Sequence, residues 1–227
     1  MPVVEELKRI VEKLTGLGRP RRRALARLAR PRAPQLFRFR DDGETPNSRL
    51  PLVVYRGALQ LDEAYDPAAV FEETFARHGW REAWRNGIYD FLHFHSATHE
   101  VLGFARGKVT IEFGGRRGRT VTLHAGDVAV LPAGTGHRRV SASDDLLVVG
   151  AYPARGRYDE PRPEEIDYEA AVASIAKVKL PRQDPVYGAA GPLIGVWRKP
   201  VAAGRRQANG GRRAKARSAR RRRTKRA

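Results

Sequence analysis

Cysteine is absent from the 227 residues. That removes disulfides, thiolate nucleophiles and thiolate metal ligands, so a metal could be held only through imidazole and oxygen atoms. Long apolar runs are also missing. None approaches the roughly 18 residues of a membrane span, and the first residues lack the apolar core and small-residue cleavage site of a secretory signal. A soluble cytoplasmic protein without membrane contact is the expectation. Acidic groups are lacking at one end of the chain, and this changes the meaning of the net charge of +19. Residues 1–34 hold ten Lys/Arg against three Glu, and residues 198–227 hold fourteen against none. Residues 35–197 hold twenty against twenty-two, a net of −2. The basicity belongs to two extensions around a nearly neutral centre.

Three regions follow: a basic helical N-terminal extension over 1–34, a central domain over 35–197, and a disordered Arg/Lys-rich tail over 198–227. The tail has no apolar periodicity. Such a run binds polyanions, nucleic acid included, by counterion release and without sequence preference. The −2 charge of the centre gives no support to nucleic-acid binding by the domain itself.

Leu7, Ile10, Val11, Leu14 and Leu17 recur at helical spacing over 5–17, and a second, basic helix over Arg21 to Arg30 is stopped by Pro31. From Gln35 the pattern changes. Leu36 to Phe39 and Leu52 to Tyr55 read as strands. Asp66 and Pro67 open a helix with Phe71 and Phe75 one turn apart on its inner side, ending near Gly79. Beyond residue 107, Val109, Ile111 and Phe113 alternate with polar neighbours, as do Val121 and Leu123, and glycine-rich turns separate these runs from Val128 to Leu131 and from Leu146 to Tyr152. Short, evenly spaced strands of this kind mark an antiparallel sandwich or barrel. A helix over about 164–177 and a segment closing near Trp197 complete the domain.

The chemistry concentrates in two stretches. His93 and His95 lie two apart in a run with strand character, so both rings should project from one face. Tyr89 and Phe91 share that alternation and should point into the same cavity. Tyr89 is the one candidate acid or orienting group, and Phe91 reads as filling. Glu100 follows the polar break Ser96-Ala97-Thr98, where the chain can turn back beside the imidazoles. His137 comes after Pro132-Ala133-Gly134-Thr135-Gly136. Of the neighbours His99 and Glu100, only one should face the same point, and Glu100 is chosen; His99 then supports from behind or faces outward. His78 and His124 read as ordinary surface or hydrogen-bonded histidines, and Trp80 and Trp84 as packing. Ile88, Leu92 and Phe94 form an opposite, apolar face that needs covering by the N-terminal segments or a second subunit, hence the expectation of a homodimer.

The first stretch has Gly87, His93, His95, Glu100 and Gly107 at the spacing of the first cupin motif, and the second has Gly126, Pro132, Gly134 and His137 at that of the second. The chain is similar to the single-domain bacterial cupins of the YjlB type through about residues 35–197, with Ser141 where an Asn is expected. The resemblance implies a conical antiparallel β-barrel or jelly roll with a few flanking helices, usually dimeric. It also implies a divalent metal on three His and one Glu, here His93, His95, Glu100 and His137. Three neutral imidazoles and one carboxylate leave a divalent ion with a charge of about +1, which favours an anionic or oxygen-rich small-molecule substrate. Four protein ligands close a tetrahedral zinc site, whereas an octahedral ion keeps two positions open. Mn, Fe(II), Ni or Co therefore suits catalysis, with Zn or Cu able to occupy the site by affinity alone. The expected function is a metalloenzyme of oxygenase, decarboxylase or isomerase type. The alternatives are a non-catalytic binding cupin and a cupin scaffold tethered to nucleic acid by its tails.

Overall fold

A computed structural model describes residues 18–153 and 158–199. The expected helix over 5–17 and the tail beyond residue 199 lie outside the described residues. Among those described, nine strands and four α-helices form a mostly antiparallel β structure of jelly-roll type. Helix α1 (Arg22–Leu28) is followed by β1 (Gln35–Phe37), β2 (Leu52–Tyr55), α2 (Pro67–Arg77) and β3 (Trp80–Asn86). Next come β4 (Glu100–Arg106), β5 (Lys108–Phe113), β6 (Arg119–His124), β7 (Val128–Leu131), β8 (His137–Ala142) and β9 (Leu147–Pro153). Two helices, α3 (Tyr168–Ile175) and α4 (Pro192–Arg198), end the described chain.

The strands make one six-stranded sheet in the order β1-β2-β7-β4-β9-β3 and one three-stranded sheet in the order β6-β5-β8. Their sequences explain the layering. β5 alternates buried Val109, Ile111 and Phe113 with more exposed residues, so only one face is covered. β2 and β7 are buried at every position, as strands covered on both faces must be. Leu52, Val54, Leu102, Phe104, Ala129 and Leu131 of the large sheet pack on Val109, Ile111, Phe113, Val121 and Leu123 of the small one. Val53, Tyr55, Val101, Val128, Val130 and Val149 turn the other way, against Phe71, Phe75, Leu193 and Trp197. Leu28 of α1 joins that second layer, so the basic helix is packed on the domain by its apolar side.

The expected Asp66 cap is present, its carboxylate accepting the Ala68 N–H at 3.0 Å, with Pro67 at the first helical position. Phe71 and Phe75 are fully buried, each contributing about 1.5–3 kcal/mol. Gly103 of β4 is where the helix crosses the sheet, since a Cβ there would lie 2.2 Å from the Phe71 ring. Gly134, at φ +87°, meets the Asn47 carbonyl so closely that a Cβ would lie 2.5 Å from it. Asn47 is itself buried, and its amide donates to Arg40 and Gly114 carbonyls. The loop over 46–48 thereby holds the turn that presents His137.

Two sequence expectations change. Residues 87–99 do not form a strand: His93 makes only an isolated antiparallel bridge with His137, and regular pairing begins at Glu100. Strand β8, which the sequence reading did not anticipate, starts at His137 and pairs with β5, with a register shift that leaves Val140 as an extra residue. The apolar face of 88–94 is covered within the chain. Ile88 and Phe94 are 6% and 0% exposed, and Phe94 donates its N–H to the Pro161 carbonyl at 3.2 Å. That face therefore gives no argument for a dimer. Among the described residues no helix is long and apolar enough to cross a membrane.

Candidate metal centre

The two motif stretches are laced together by their backbones. His93 and His137 exchange N–H to carbonyl bonds at 3.3 and 2.9 Å, and Gly134 donates to the His95 carbonyl at 2.7 Å. His93 and His95 reach the same cavity without a continuous strand, because the bridge to His137 sets the backbone direction locally. Nitrogen atoms of His93, His95 and His137 come within 4.8 Å of one another, and all three residues are buried. The ring centroids are 4.1 Å apart for His93 and His137 and 5.7 Å for His95 and His137.

Each of the three rings has its Nδ1 beside a backbone carbonyl: Phe91 at 3.3 Å for His93, Thr135 at 3.0 Å for His137, and Asp159 for His95. A carbonyl can only accept, so Nδ1 carries the proton and the neutral ring turns an Nε2 lone pair inward. Glu100 adds its carboxylate, with Oε2 at 3.2 Å from His95 Nε2 and 3.5 Å from His137 Nε2. His95 Nε2 and Glu100 Oε2 are both buried, and among the described residues neither has a partner with the geometry of a full hydrogen bond. Lone pairs converging on one point repel unless a proton or a cation lies between them, and a buried polar atom left unsatisfied is costly. A cation at that point would satisfy all of them, so the donor set fits a divalent metal.

Without a metal, a proton shared by His95 and Glu100 takes over part of the cation's role. Burial and the neighbouring His95 hold His93 below the ordinary imidazole range. Burial, reinforced by His93, pushes His137 down to about 3. Burial also opposes charge on His95, but the Glu100 carboxylate outweighs it and raises the ring to about 8. Glu100 is lowered despite burial, by the imidazole of His95 above all.

The cavity in front of the cluster has a volume of about 270 Å³ and is walled by Trp84, Arg85, Ile88, Tyr89, Leu102, Tyr152, Tyr158 and Glu160. Tyr89 does line it, but 41% exposed, stacked on Phe91 at 4.7 Å and edge-on to His93 at 5.2 Å. Trp84, read from sequence as packing, is part of the wall, and its Nε1–H donates to the Tyr152 hydroxyl at 2.8 Å. Tyr152 and Tyr158 are both held above the ordinary phenol range, chiefly by burial. The Tyr158 hydroxyl donates to the Glu160 carboxylate. Sequence spacing pointed to none of Tyr152, Tyr158, Asp159 or Glu160. The only available signal was the aromatic in the otherwise aliphatic run Leu147 to Pro153.

The remaining histidines lie apart. His99 is buried and faces away from the cluster, its Nδ1 accepting the Ala133 N–H at 2.9 Å and its ring against Trp197 at 4.7 Å. Burial lowers it to about 4. His78 donates from Nδ1 to the Pro185 carbonyl at 2.9 Å, and His124 is exposed at the end of β6.

No family model matches the chain. An uncharacterised Bacillus subtilis (strain 168) protein, YjlB, is 39% identical over 169 residues, which are 74% of this chain and 99% of that protein. Among solved structures, acireductone dioxygenase from Bacillus anthracis with a cadmium ion aligns at TM-score 0.30 and 20% identity, over 39% of this chain and 62% of that one. Oxalate decarboxylase aligns at TM-score 0.30 and 19% identity, over 57% of this chain and 28% of that one. Each alignment spans less than two thirds of the solved chain.

Proposed function

The chain belongs to the family of the Bacillus subtilis protein YjlB, within the cupin superfamily, and from that premise we propose a metalloprotein in which His93, His95, Glu100 and His137 hold one divalent cation. The observation that carries this reading is the buried convergence of His95 Nε2 and Glu100 Oε2 with the other two imidazoles. Three neutral rings and one carboxylate supply a net charge of −1, so a divalent ion would remain cationic towards the cavity. A small substrate bearing paired oxygen atoms or a carboxylate suits both that charge and a volume of about 270 Å³. Mn, Fe(II) or Ni fits the four donors with positions to spare, more than Zn or Cu.

Bound there, a divalent ion supplies Lewis-acid polarisation of a substrate oxygen. The chain supplies the rest. Trp84 donates to the Tyr152 oxygen, which leaves that hydroxyl's own proton free to be given to a substrate atom or to Glu100. Burial keeps Tyr152 protonated, so it serves as a hydrogen-bond donor rather than a base. Tyr158 and Glu160 close the outer wall as a hydrogen-bonded pair. Trp84, Ile88 and Leu102 line the same cavity with apolar surface, which limits water around a bound ligand. Metal analysis of the full chain purified without added metal, beside a His137→Ala variant, tests the assignment. About one Mn, Fe or Ni per chain, lost in the variant, is expected; equal metal in both proteins would overturn it.

A further inference from the structure

Glu100 and His99 are adjacent yet line different cavities. The one reached by His99 has a volume of about 810 Å³, roughly three times that before the imidazole cluster. Five cationic residues border it: Arg77 at the end of α2, Arg81 of β3, and Lys177, Lys179 and Arg182 from the segment after α3. Among the described residues no Asp or Glu lines it. Among the described residues none of the five forms an ion pair, and Arg77 reaches only the Arg22 carbonyl, at 3.4 Å. A run of exposed like charges is ordinarily a solvated face. Here three separate elements carry the charges around one concavity.

The inner wall adds a second, independent feature. His99 is 2% exposed. Because its Nδ1 accepts the Ala133 N–H, the neutral ring carries its proton on Nε2. That Nε2 is buried and faces the Lys179 backbone carbonyl without the geometry of a full hydrogen bond. A weakly satisfied donor, under a rim of cations without ion pairs, matches an anion's oxygen in both polarity and charge. We propose that this cavity binds a small, multiply charged oxyanion, an organic or inorganic phosphate or polycarboxylate, with one oxygen accepting from His99 and the remaining charge met by Arg81, Arg182, Lys177 and Lys179. The volume suits a metabolite-sized ligand.

The test uses the full chain, ¹⁵N-labelled and stripped of metal so that chelation at the other cavity does not interfere. The His99 ring nitrogens are followed by NMR while inorganic pyrophosphate, or citrate in a parallel series, is added at near-physiological ionic strength. A saturable shift of the His99 signal is expected with at least one of the two, and which one identifies phosphate or carboxylate as the source. Polyanion held elsewhere on the basic chain does not move that signal. Arg81→Ala/Arg182→Ala, and independently Lys177→Ala/Lys179→Ala, should weaken the response at least about tenfold. The exposed pair Arg106→Ala/Arg117→Ala, outside the cavity, should leave it as it was. The proposal is overturned by no saturable shift with either anion, or by equal weakening in the control pair. Either failure leaves the metal reading untouched, since no residue is shared.

Discussion

The His95 ring is steered by Asp159, 64 positions further along the chain: its Nδ1 meets the Asp159 backbone carbonyl, while the Asp159 side chain grips the turn that follows His95. Asp159 Oδ1 accepts the Ser96 and Ala97 N–H groups, each at 3.0 Å, and Oδ2 takes the Ser96 hydroxyl. One residue thus sets both the tautomer and the backbone of a candidate ligand. The lone pair on His95 Nε2 faces inward only while that clamp holds.

Asp159→Ala should therefore lower metal affinity although Asp159 offers no ligand atom. Removing the orienting partner of a metal histidine typically costs 10–100-fold; Asp159→Ala keeps the backbone carbonyl and removes only the side-chain clamp, so the loss should fall near the lower end of that range or below it. Asp159→Asn, which keeps an acceptor oxygen, should lose less. Competition against a chromophoric chelator measures both, and wild-type affinity in Asp159→Ala would remove Asp159 from this role.

How much of this was legible in the residues divides along physical lines. The strands of the sandwich were readable because burial on one face imposes a period of two, as in Val109, Ile111 and Phe113, and burial on both faces gives the unbroken run Leu52 to Tyr55. The four candidate ligands were readable because turn lengths tie them to fixed spacings. The strand assigned around His93 was wrong for a tertiary reason: its backbone groups bond to His137, Gly134 and Pro161 across the molecule. Strand β8 escaped notice because Arg138, Arg139 and Ser141 sit on a sheet edge, where polar residues carry no burial pattern. Asp159 and Glu160 arrive from a distant segment, and their position reflects how the chain returns over the sheet rather than any local sequence.

Metal removal should lower thermal stability. A ligand at 100 times its Kd that binds only the folded chain adds about 2.7 kcal/mol, and at this size that corresponds to roughly 5–11 °C in Tm. Scanning calorimetry of protein treated with chelator should show such a drop, reversed by restoring the ion. His137→Ala should respond to neither treatment. A chelator effect of equal size in the variant would point to a different metal site.

Tyr55 and Asp184 anchor the C-terminal segment to the sheet. The Tyr55 hydroxyl donates to Asp184 Oδ2 at 2.5 Å, and the same carboxylate accepts N–H groups of Val186, Tyr187 and Leu193. Asp184 is fully buried. Tyr55→Phe should destabilise by about 1–3 kcal/mol, the cost of leaving a buried acceptor one donor short. Asp184→Ala, which leaves the phenol and three N–H groups unpaired, should cost more. Urea unfolding ranks the two; a reversed order would mean that packing, and not this hydrogen-bond set, holds α4 in place.

A cluster of charges on the far side of Arg85, which also walls the first cavity, sets an acid limit on stability. Glu72 accepts from Arg85 at 2.6 Å and from Arg19 at 2.9 Å, and Arg85 also meets Asp66 at 2.7 Å. Burial opposes ionisation of Glu72, but the hydrogen bonds and charge of Arg85, then of Arg19, outweigh it and hold the carboxyl below its ordinary value. A lowered folded-state value means that the unfolded chain takes up the proton first as pH falls. The contribution is therefore fully present above the unfolded value of about 4.3 and is lost as pH drops through the lower folded one. Because Arg85 and Arg19 are partly solvated, screening reduces the size of the effect without changing its sign. Glu72→Gln should destabilise the protein near neutrality. Below about pH 4.3 its urea midpoint should converge on that of the wild type, with both proteins kept metal-free so that the histidine cluster contributes equally. A difference that stays constant, or widens, as the pH falls would show that Glu72 acts through packing rather than through its charge.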